Sequence, residues 1–253
     1  MQKTTPEHQI ADIYSTLARA WGQQHWWPAR SRFEVIVGAY LTQNTNWTNV
    51  ERAIYQLRSA RVLSVAGIRD VPLRRLETLV RSSGYFRQKA RRLKLFVKFL
   101  DRNYGGSLDQ MFARPTFQLR EQLLALQGVG PETADSILLY AGQHPIFVVD
   151  AYTRRIASRH ELLPVRAGYE DVRALFERAL PPVQPIACIS ASPSSGVASH
   201  KPSRMSLTTR SPQAQVFNEM HGLLVSVAKR YCLKSIARCE QCPLRALLPV
   251  HPG

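Results

Sequence analysis

Residues 123–155, LLALQGVGPETADSILLYAGQHPIFVVDAYTRR, decide how this chain folds. The segment contains a tight turn between two amphipathic runs, in which Gly128 and Gly130 permit the positive φ angles of a hairpin. Pro131 suits the first position of the following helix, because its missing N–H leaves nothing unsatisfied there. The backbone N–H groups of Gly128, Gly130 and Thr133 would then lie at a helix N-terminus and could bind a phosphate. An ordinary corner between two helices would also explain the turn.

The same segment contains Asp150, an acid that closes the apolar run Val148-Val149. Aspartate is a favoured helix N-cap and residues 151–155 look like the start of a helix, so a cap is the ordinary interpretation. What draws attention to Asp150 is its pairing with a phosphate-binding turn one helix earlier in the chain.

The composition favours a partner that carries many negative charges. The chain has 253 residues, enough for two modest domains, and 45% of them are hydrophobic, enough for a real core. Thirty-four Lys and Arg against 18 Asp and Glu give a net charge of +16. Nucleic acid is the leading candidate and a membrane surface is the alternative. The sequence shows no apolar run of membrane-spanning length and no apolar signal-peptide core at its N-terminus, so neither is expected.

Hydrophobic periodicity predicts an all-α fold, because no alternating strand pattern is present. The predicted helices are residues 9–21, 33–40, 50–58, 71–81, 88–100, 117–125, 131–142, 152–160, 169–179 and 216–229. Residues 183–214 interrupt this pattern, since they are rich in Ser, Pro and Ala and contain no acid. They are predicted to be a flexible insertion.

All four tryptophans lie in the first fifth of the chain. Two of them form the segment Trp26-Trp27-Pro28, which is not helical in pattern, and Trp47 follows a polar segment that contains Gln43 and Asn44. Aromatic planes can hold an unstacked base, and amide side chains can fill the space that an extruded base leaves. Core packing of the tryptophans and a capped helix boundary at the polar segment are the alternatives.

The residues at the hairpin and at Asp150 resemble those of a known family. Leu126 to Ala134 reads LQGVGPETA, and Val149-Asp150 follows. This is similar to the helix–hairpin–helix DNA glycosylases of the endonuclease III superfamily, whose hallmark is L-x-G-V-G-x-x-T-A followed by a V-D that carries the catalytic aspartate. The resemblance covers essentially the whole chain outside the insertion.

The resemblance implies an all-α fold of two domains with a DNA-binding cleft between them. One domain would be 33–146, and the other 1–32 plus 147–253. A monomer would bind double-stranded DNA and flip a damaged nucleotide into the cleft. Asp150 would be catalytic, and a cytoplasmic, nucleoid-associated protein is expected.

The resemblance also implies the residues that contact DNA. Leu41 to Thr45 is similar to the L-x-x-Q-x-T block that supplies the wedge, and either Gln43 or Asn44 fits that role. Gly84 to Ala90 is similar to a basic G-x-x-x-x-K-A element, although a run of charges is often only a solvated face. The DNA contacts implied are Gln43, Asn44, Lys89, Gly128, Val129, Gly130 and Thr133.

Glu132 is the main departure from the lyase members of the family, which place a lysine immediately before the Thr-Ala pair. A carboxylate cannot form a Schiff base, so this chain is expected to use water as its nucleophile. Within that group it resembles the 3-methyladenine DNA glycosylase III class, which implies a base pocket of Trp26, Trp27, Pro28 and Trp47, with Lys229 as a further candidate. The alternatives are an endonuclease III-type lyase on oxidised pyrimidines and a non-enzymatic DNA-binding protein.

The chain contains four cysteines, three of them close together at a metal-site spacing, which favours a reducing compartment over a disulfide framework. Cys232, Cys239 and Cys242 are similar to the iron–sulfur loop of endonuclease III. The position of the fourth ligand holds Leu248. Since a [4Fe–4S] cluster normally uses four thiolates, the site is incomplete and no stable cluster is expected. Cys188, in the insertion, is an unlikely replacement, and the chemistry itself requires no cofactor.

Overall fold

The structure is a computed structural model, and it describes residues 5–182 and 202–249 of the chain. These two ranges form helices and no β-strand, and residues Cys232 and Ala237 make an isolated bridge. The predicted all-α class is confirmed. The helices are α1 Pro6–Trp21, α2 Arg32–Thr42, α3 Trp47–Ser59, α4 Val65–Asp70, α5 Leu73–Leu79, α6 Phe86–Tyr104, α7 Leu108–Phe112, α8 Thr116–Leu124, α9 Pro131–Ser136, α10 Ala151–Arg159, α11 Tyr169–Ala179 and α12 Pro212–Arg230.

The chain divides into two compact units. The central unit is Ala29–His144, and the terminal unit combines Met1–Pro28 with Pro145–Gly253. In the part of the chain that the structure describes, no helix is both long and apolar enough to cross a membrane.

The core of the central unit is built around α2. Every residue from Phe33 to Leu41 is buried, as the almost wholly apolar sequence FEVIVGAY requires. Helices α3, α6 and α9 pack against it. The Ser31 and Asn46 side chains cap α2 and α3 by accepting hydrogen bonds from the backbone N–H groups three residues further on.

The two helices of the hairpin, α8 and α9, are joined by a buried ion pair. The Arg120 guanidinium donates to both carboxylate oxygens of Asp135 at 2.7 and 3.1 Å, and the Asp135 side chain is fully buried. After Ser136 the helix continues as a buried π-helical turn, Ile137–Ala141. The predicted helix 131–142 is therefore present with a change of winding in its second half.

The terminal unit is built around α12, which is buried from Val216 to Ala228. Helices α1 and α10 pack on α12, and α11 packs on α1. Phe147 stacks on Phe176 with ring centroids 4.7 Å apart, and Phe217 meets it edge-on at 5.7 Å. Phe147, the central member of this aromatic cluster, lies three residues before Asp150 in the chain.

Several local expectations differ from the structure. Helices α4 and α7 were not predicted. Each is short and has only one buried residue, so its sequence shows no hydrophobic periodicity. Of the predicted flexible insertion, residues 183–201 lie outside the described residues. Residues 202–214 have defined structure: Met205 is 5% exposed and the Ser203 hydroxyl donates to the Trp27 carbonyl oxygen at 3.0 Å.

Candidate active site

Asp150 is the N-cap of α10, and it uses only one of its two oxygens for that purpose. Oδ1 accepts hydrogen bonds from the Thr153 backbone N–H at 2.8 Å and from the Thr153 hydroxyl at 3.0 Å. The side chain is 14% exposed, so solvent still reaches it. The helix-cap interpretation of Asp150 is correct, and it leaves Oδ2 available for another role.

Asp150 Oδ2 faces His221, a residue that sequence reasoning did not single out. His221 Nε2 lies 3.7 Å from Oδ2, and Nδ1 lies 3.1 Å from the Val148 carbonyl oxygen. The imidazole is only 4% exposed. The available signal was weak: the sequence NEMH at 218–221 places three polar side chains in the middle of a helix whose neighbouring residues 216–217 and 222–225 are apolar or glycine.

The Trp26 ring lies beside His221. Its ring centroid lies 6.0 Å from that of His221 and 5.7 Å from that of Trp27, which it meets edge-on. Trp26 is partly exposed, whereas Trp27 is 7% exposed and belongs to the core of the terminal unit. Of the two predicted pocket tryptophans, Trp26 is therefore the one that can present an aromatic surface. Trp27 packs against it edge-on.

Helix α12 holds the segment that carries Trp26. The Gln24 backbone N–H donates to Glu219 Oε2 at 2.8 Å, and Asn218 Nδ2 donates to the Trp26 carbonyl oxygen at 2.8 Å. Gly222 allows this close approach, because a Cβ atom there would lie 3.1 Å from the Trp26 Cβ. The helix that carries His221 thus also positions the Trp26 ring.

The hairpin between α8 and α9 lies in the central unit, and its two glycines play different parts. Gly128 has φ +80°, in the left-handed region that favours glycine, and a Cβ atom there would lie 2.0 Å from Arg92 Nε and displace that side chain. Gly130 has φ −96°, an extended conformation open to any residue, and a Cβ atom there would meet nothing within 4 Å. The expectation that both glycines have positive φ is therefore wrong for Gly130.

The remaining residues predicted at the hairpin are partly buried within it. Val129 is 7% exposed and its backbone N–H donates to the Leu126 carbonyl oxygen. Thr133 is also 7% exposed, and its hydroxyl accepts a hydrogen bond from Gln43 Nε2 at 2.9 Å. They shape the turn more than they present side chains to a ligand.

Gln43 is tied to the hairpin by its whole side-chain amide. Besides its bond to Thr133, Nε2 donates to the Gly128 carbonyl oxygen at 3.0 Å, and Oε1 accepts from Arg92 at 2.7 Å. Asn44, the next residue, is exposed at the tip of the turn with φ +52°. The two wedge candidates therefore lie in one turn that is braced directly on the hairpin.

Lys89 does not lie where the DNA-contact prediction requires. Its side chain is 1% exposed, and Nζ donates to the carbonyl oxygens of Leu41 at 2.9 Å and Ser83 at 2.6 Å. Burial, with a smaller effect from Arg92, lowers the pKa of Lys89 to about 8. The prediction that Lys89 contacts the DNA backbone is therefore corrected. This lysine joins the last turn of α2 to the turn at Ser83 inside the central unit.

Tyr85 is an exposed aromatic residue on one of those turns and was also missed. It is 67% exposed and has φ +44°, in the left-handed region that a tyrosine rarely adopts. The Ser82 hydroxyl, in the same turn, donates to the Asn49 carbonyl oxygen at 2.9 Å and so holds the turn against α3. The signal in the sequence was the position of Tyr85 within the G-x-x-x-x-K-A element.

Comparison with known proteins identifies the family. A sequence model for HhH-GPD superfamily base excision DNA repair proteins matches residues 37–182. A protein of Methanocaldococcus jannaschii named as a candidate DNA repair glycosylase is 38% identical over 237 residues, which are 93% of this chain and 94% of the relative. The chain belongs to the HhH-GPD superfamily. This HhH-GPD protein is therefore a DNA glycosylase of base excision repair, and its substrate is DNA.

Solved structures agree with the membership. The H. pylori 3-methyladenine DNA glycosylase bound to 1,N6-ethenoadenine is 25% identical with a TM-score of 0.68, covering 90% of this chain and 98% of that one. Endonuclease III trapped as a covalent intermediate with DNA is 20% identical with a TM-score of 0.72, covering 96% and 95%. The likeness to the second structure shows the fold. The predicted endonuclease III superfamily is confirmed.

Three further residues singled out in the sequence lie at or near helix ends. Glu132 is exposed at the second position of α9, and Trp47 is the partly exposed first residue of α3, both in the central unit. Lys229 is exposed near the end of α12. Lys229 follows Gly222 by seven residues, so it lies on the same helical face about two turns further on.

The cysteine loop of this HhH-GPD protein, Cys232 to Cys242, supplies three of the four thiolates that a [4Fe–4S] cluster normally uses. Cys232, Cys239 and Cys242 line one cavity, and Leu248, in the position of the fourth ligand, lines it too. The cavity volume is about 20 Å³, room for about one water molecule. Arg159 donates to the Cys232 sulfur at 3.0 Å. Within residues 5–182 and 202–249, no group of three His, Cys, Asp or Glu side chains is arranged to hold a metal ion. Cys188 lies outside the described residues.

Proposed function

We propose that this chain is a monofunctional DNA glycosylase that hydrolyses the N-glycosidic bond of a damaged purine. The substrate that we propose is an alkylated purine. The observation that carries the proposal is the row Trp26, His221 and Asp150 within one unit. His221 thus lies beside both an aromatic ring that could hold the base and a carboxylate that could act on the sugar. The protein would act as a monomer on double-stranded DNA.

Asp150 would stabilise the sugar as the glycosidic bond breaks. When the base leaves, positive charge develops on the sugar ring, and a nearby carboxylate lowers the energy of that state. Asp150 Oδ1 is held by the α10 cap, so the carboxylate does not need to reorganise during the reaction. Oδ2 is the oxygen that could interact with the sugar or with water.

Trp26 would select a cationic base. Alkylation of a purine ring nitrogen gives the base a positive charge and weakens its bond to the sugar. An indole attracts a cation through its π face, which favours the alkylated base over the neutral one. A weak bond needs little protonation of the leaving group, so the proposed reaction does not depend on a general acid. The resemblance to the 3-methyladenine class retains Trp47 and Lys229 as further pocket candidates.

Glu132 supports a reaction that stops at the abasic site. It occupies the position of the lyase lysine in the hairpin motif, and a carboxylate cannot form an imine with the sugar. We infer that water is the nucleophile and that the DNA strand is left intact.

The central unit would hold the DNA backbone. The net charge of +16 favours a polyanion, and the hairpin would offer backbone N–H groups at Gly128 and Gly130 to a phosphate. The turn of Gln43 and Asn44 would fill the space left by the extruded base, and Tyr85 is exposed enough to stack on a neighbouring base.

The test is a release assay on three duplexes that contain 3-methyladenine, thymine glycol or uracil. Released base and strand nicking are scored separately, and sodium borohydride is added during turnover in a parallel reaction. The proposal expects release of 3-methyladenine without nicking and without a trapped protein–DNA adduct. Release of thymine glycol with nicking and a trapped adduct would identify an endonuclease III-type lyase. Binding to DNA without release of any of the three bases would contradict the proposal.

A further inference from the structure

The hydrogen bond of His221 to a backbone carbonyl assigns a proton to Nδ1. Its Nδ1 lies 3.1 Å from the Val148 carbonyl oxygen, which can only accept, so Nδ1 carries a hydrogen. In the neutral ring the lone pair is then on Nε2. That nitrogen is turned towards Asp150.

When the ring is neutral, Nε2 and Asp150 Oδ2 are both acceptors, and they face each other across a gap. Nε2 and Asp150 Oδ2 are 3.7 Å apart, too far for a direct hydrogen bond. A water molecule beside both atoms could donate one hydrogen to each and direct an oxygen lone pair away from them. Asp150 is 14% exposed and His221 only 4%, so such a water would enter from the Asp150 side.

We propose that His221 is a second catalytic residue, the acceptor of the proton from the attacking water; this inference rests on the proposed hydrolytic function. As the bond between C1′ and the base nitrogen breaks, its electron pair leaves with the base. The water oxygen forms the new bond to C1′, and its proton moves to His221 Nε2. The resulting imidazolium is stabilised by the Asp150 carboxylate beside it and later releases its proton to solvent.

The matched variants are His221→Asn and His160→Asn. An asparagine at 221 keeps a donor near the position of Nδ1, for the Val148 carbonyl, and removes Nε2. His160 is a close control, because it is 6% exposed and its Nδ1 lies 3.1 Å from the Leu247 carbonyl oxygen. It lines the cysteine cavity and has no place in the proposed chemistry.

The measurement is single-turnover release of 3-methyladenine, with binding to an uncleavable abasic-site analogue measured alongside. His221→Asn should slow release about 10²–10³-fold with little change in binding, while His160→Asn should release base at the wild-type rate. The double variant His221→Asn with Asp150→Asn should be about as slow as Asp150→Asn alone, because both residues act on one water. If His221 only supports packing, the two losses should multiply.

The outcomes separate the two proposals. If wild-type protein releases none of the three damaged bases, the proposed function fails. If wild type is active and Asp150→Asn is not, but His221→Asn stays within about threefold of wild type, only the role of His221 is refuted. If His221→Asn does not fold, His221→Gln places an amide near Nε2, which cannot take the proton. A folded His221→Gln that releases base at the wild-type rate refutes the inference, and one slowed as above supports it.

Discussion

At the scale of single residues, one substitution can separate the helix cap formed by Asp150 from its proposed catalytic role. Asparagine caps helices about as well as aspartate, so Asp150→Asn should preserve α10 and the fold. The variant loses the negative charge that we propose stabilises the sugar, so base release should fall about 10²–10³-fold while DNA binding persists. Single-turnover release and a binding titration test this. Turnover at the wild-type rate would leave Asp150 as a helix cap only.

Lys89 makes a prediction about stability at alkaline pH. Its pKa is about 8 in the folded protein against an ordinary value of 10.5, because burial disfavours the charged form. The unfolded chain therefore binds more protons between these values, and stability should rise as pH increases from about 8 towards 10.5. The neutral amine still has enough hydrogens for the carbonyls of Leu41 and Ser83.

The measurement for Lys89 is chemical denaturation across this pH range, compared with Lys89→Met. Methionine has no proton to lose, so groups common to both proteins cancel in the difference. Above pH 8, the free energy of unfolding of the unmodified protein should increase relative to that of the variant. Parallel curves would show that Lys89 has an ordinary pKa and that its ammonium is better solvated than its burial indicates.

At the scale of the hairpin, the two glycines permit a test in which the fold is preserved. Gly130→Val adds a side chain in open space with an allowed backbone, so thermal stability should hardly change. The added side chain should keep a phosphate from the backbone N–H groups. We expect weaker binding to DNA of every sequence and a slope of log K against log salt that is shallower by about one phosphate contact.

The smaller variant Gly130→Ala should have a smaller effect than Gly130→Val in the same salt titration. Gly128→Val is not a useful comparison, since it would strain a backbone with φ +80° and displace Arg92, and so would change more than the phosphate contact. An unchanged affinity and slope for Gly130→Val would mean that the hairpin is only a corner between α8 and α9.

At the scale of the whole molecule, the cysteine loop should be stable without metal. It is held by packing of Leu244, which is buried, and by Arg155, which donates to the Cys232 carbonyl oxygen at 2.7 Å. We expect less than one iron per chain after anaerobic purification and no change in melting temperature when a chelator is added. Four irons per chain would show that a cluster forms and that another ligand, such as Cys188, completes it.

Patterns that are local in the chain were readable from the sequence alone. The all-α class follows from hydrophobic period, and the family follows from LQGVGPETA and Val149-Asp150. The cap at Asp150 follows from residues next to it. Each of these patterns is formed by residues a few positions apart in the chain. The local geometry of the backbone is therefore enough to predict the local structure from the pattern.

The tertiary structure alone decided which distant residues meet. His221 lies far along the chain from Asp150, and only the packing of α10 on α12 brings Nε2 to 3.7 Å from the carboxylate. Lys89 reads as one charge in a basic run, yet the pairing of two turns buries it. Gly130 looks like Gly128 in sequence, but its φ depends on how α9 leaves the hairpin. Such outcomes depend on desolvation and packing between separate segments, which no local pattern records.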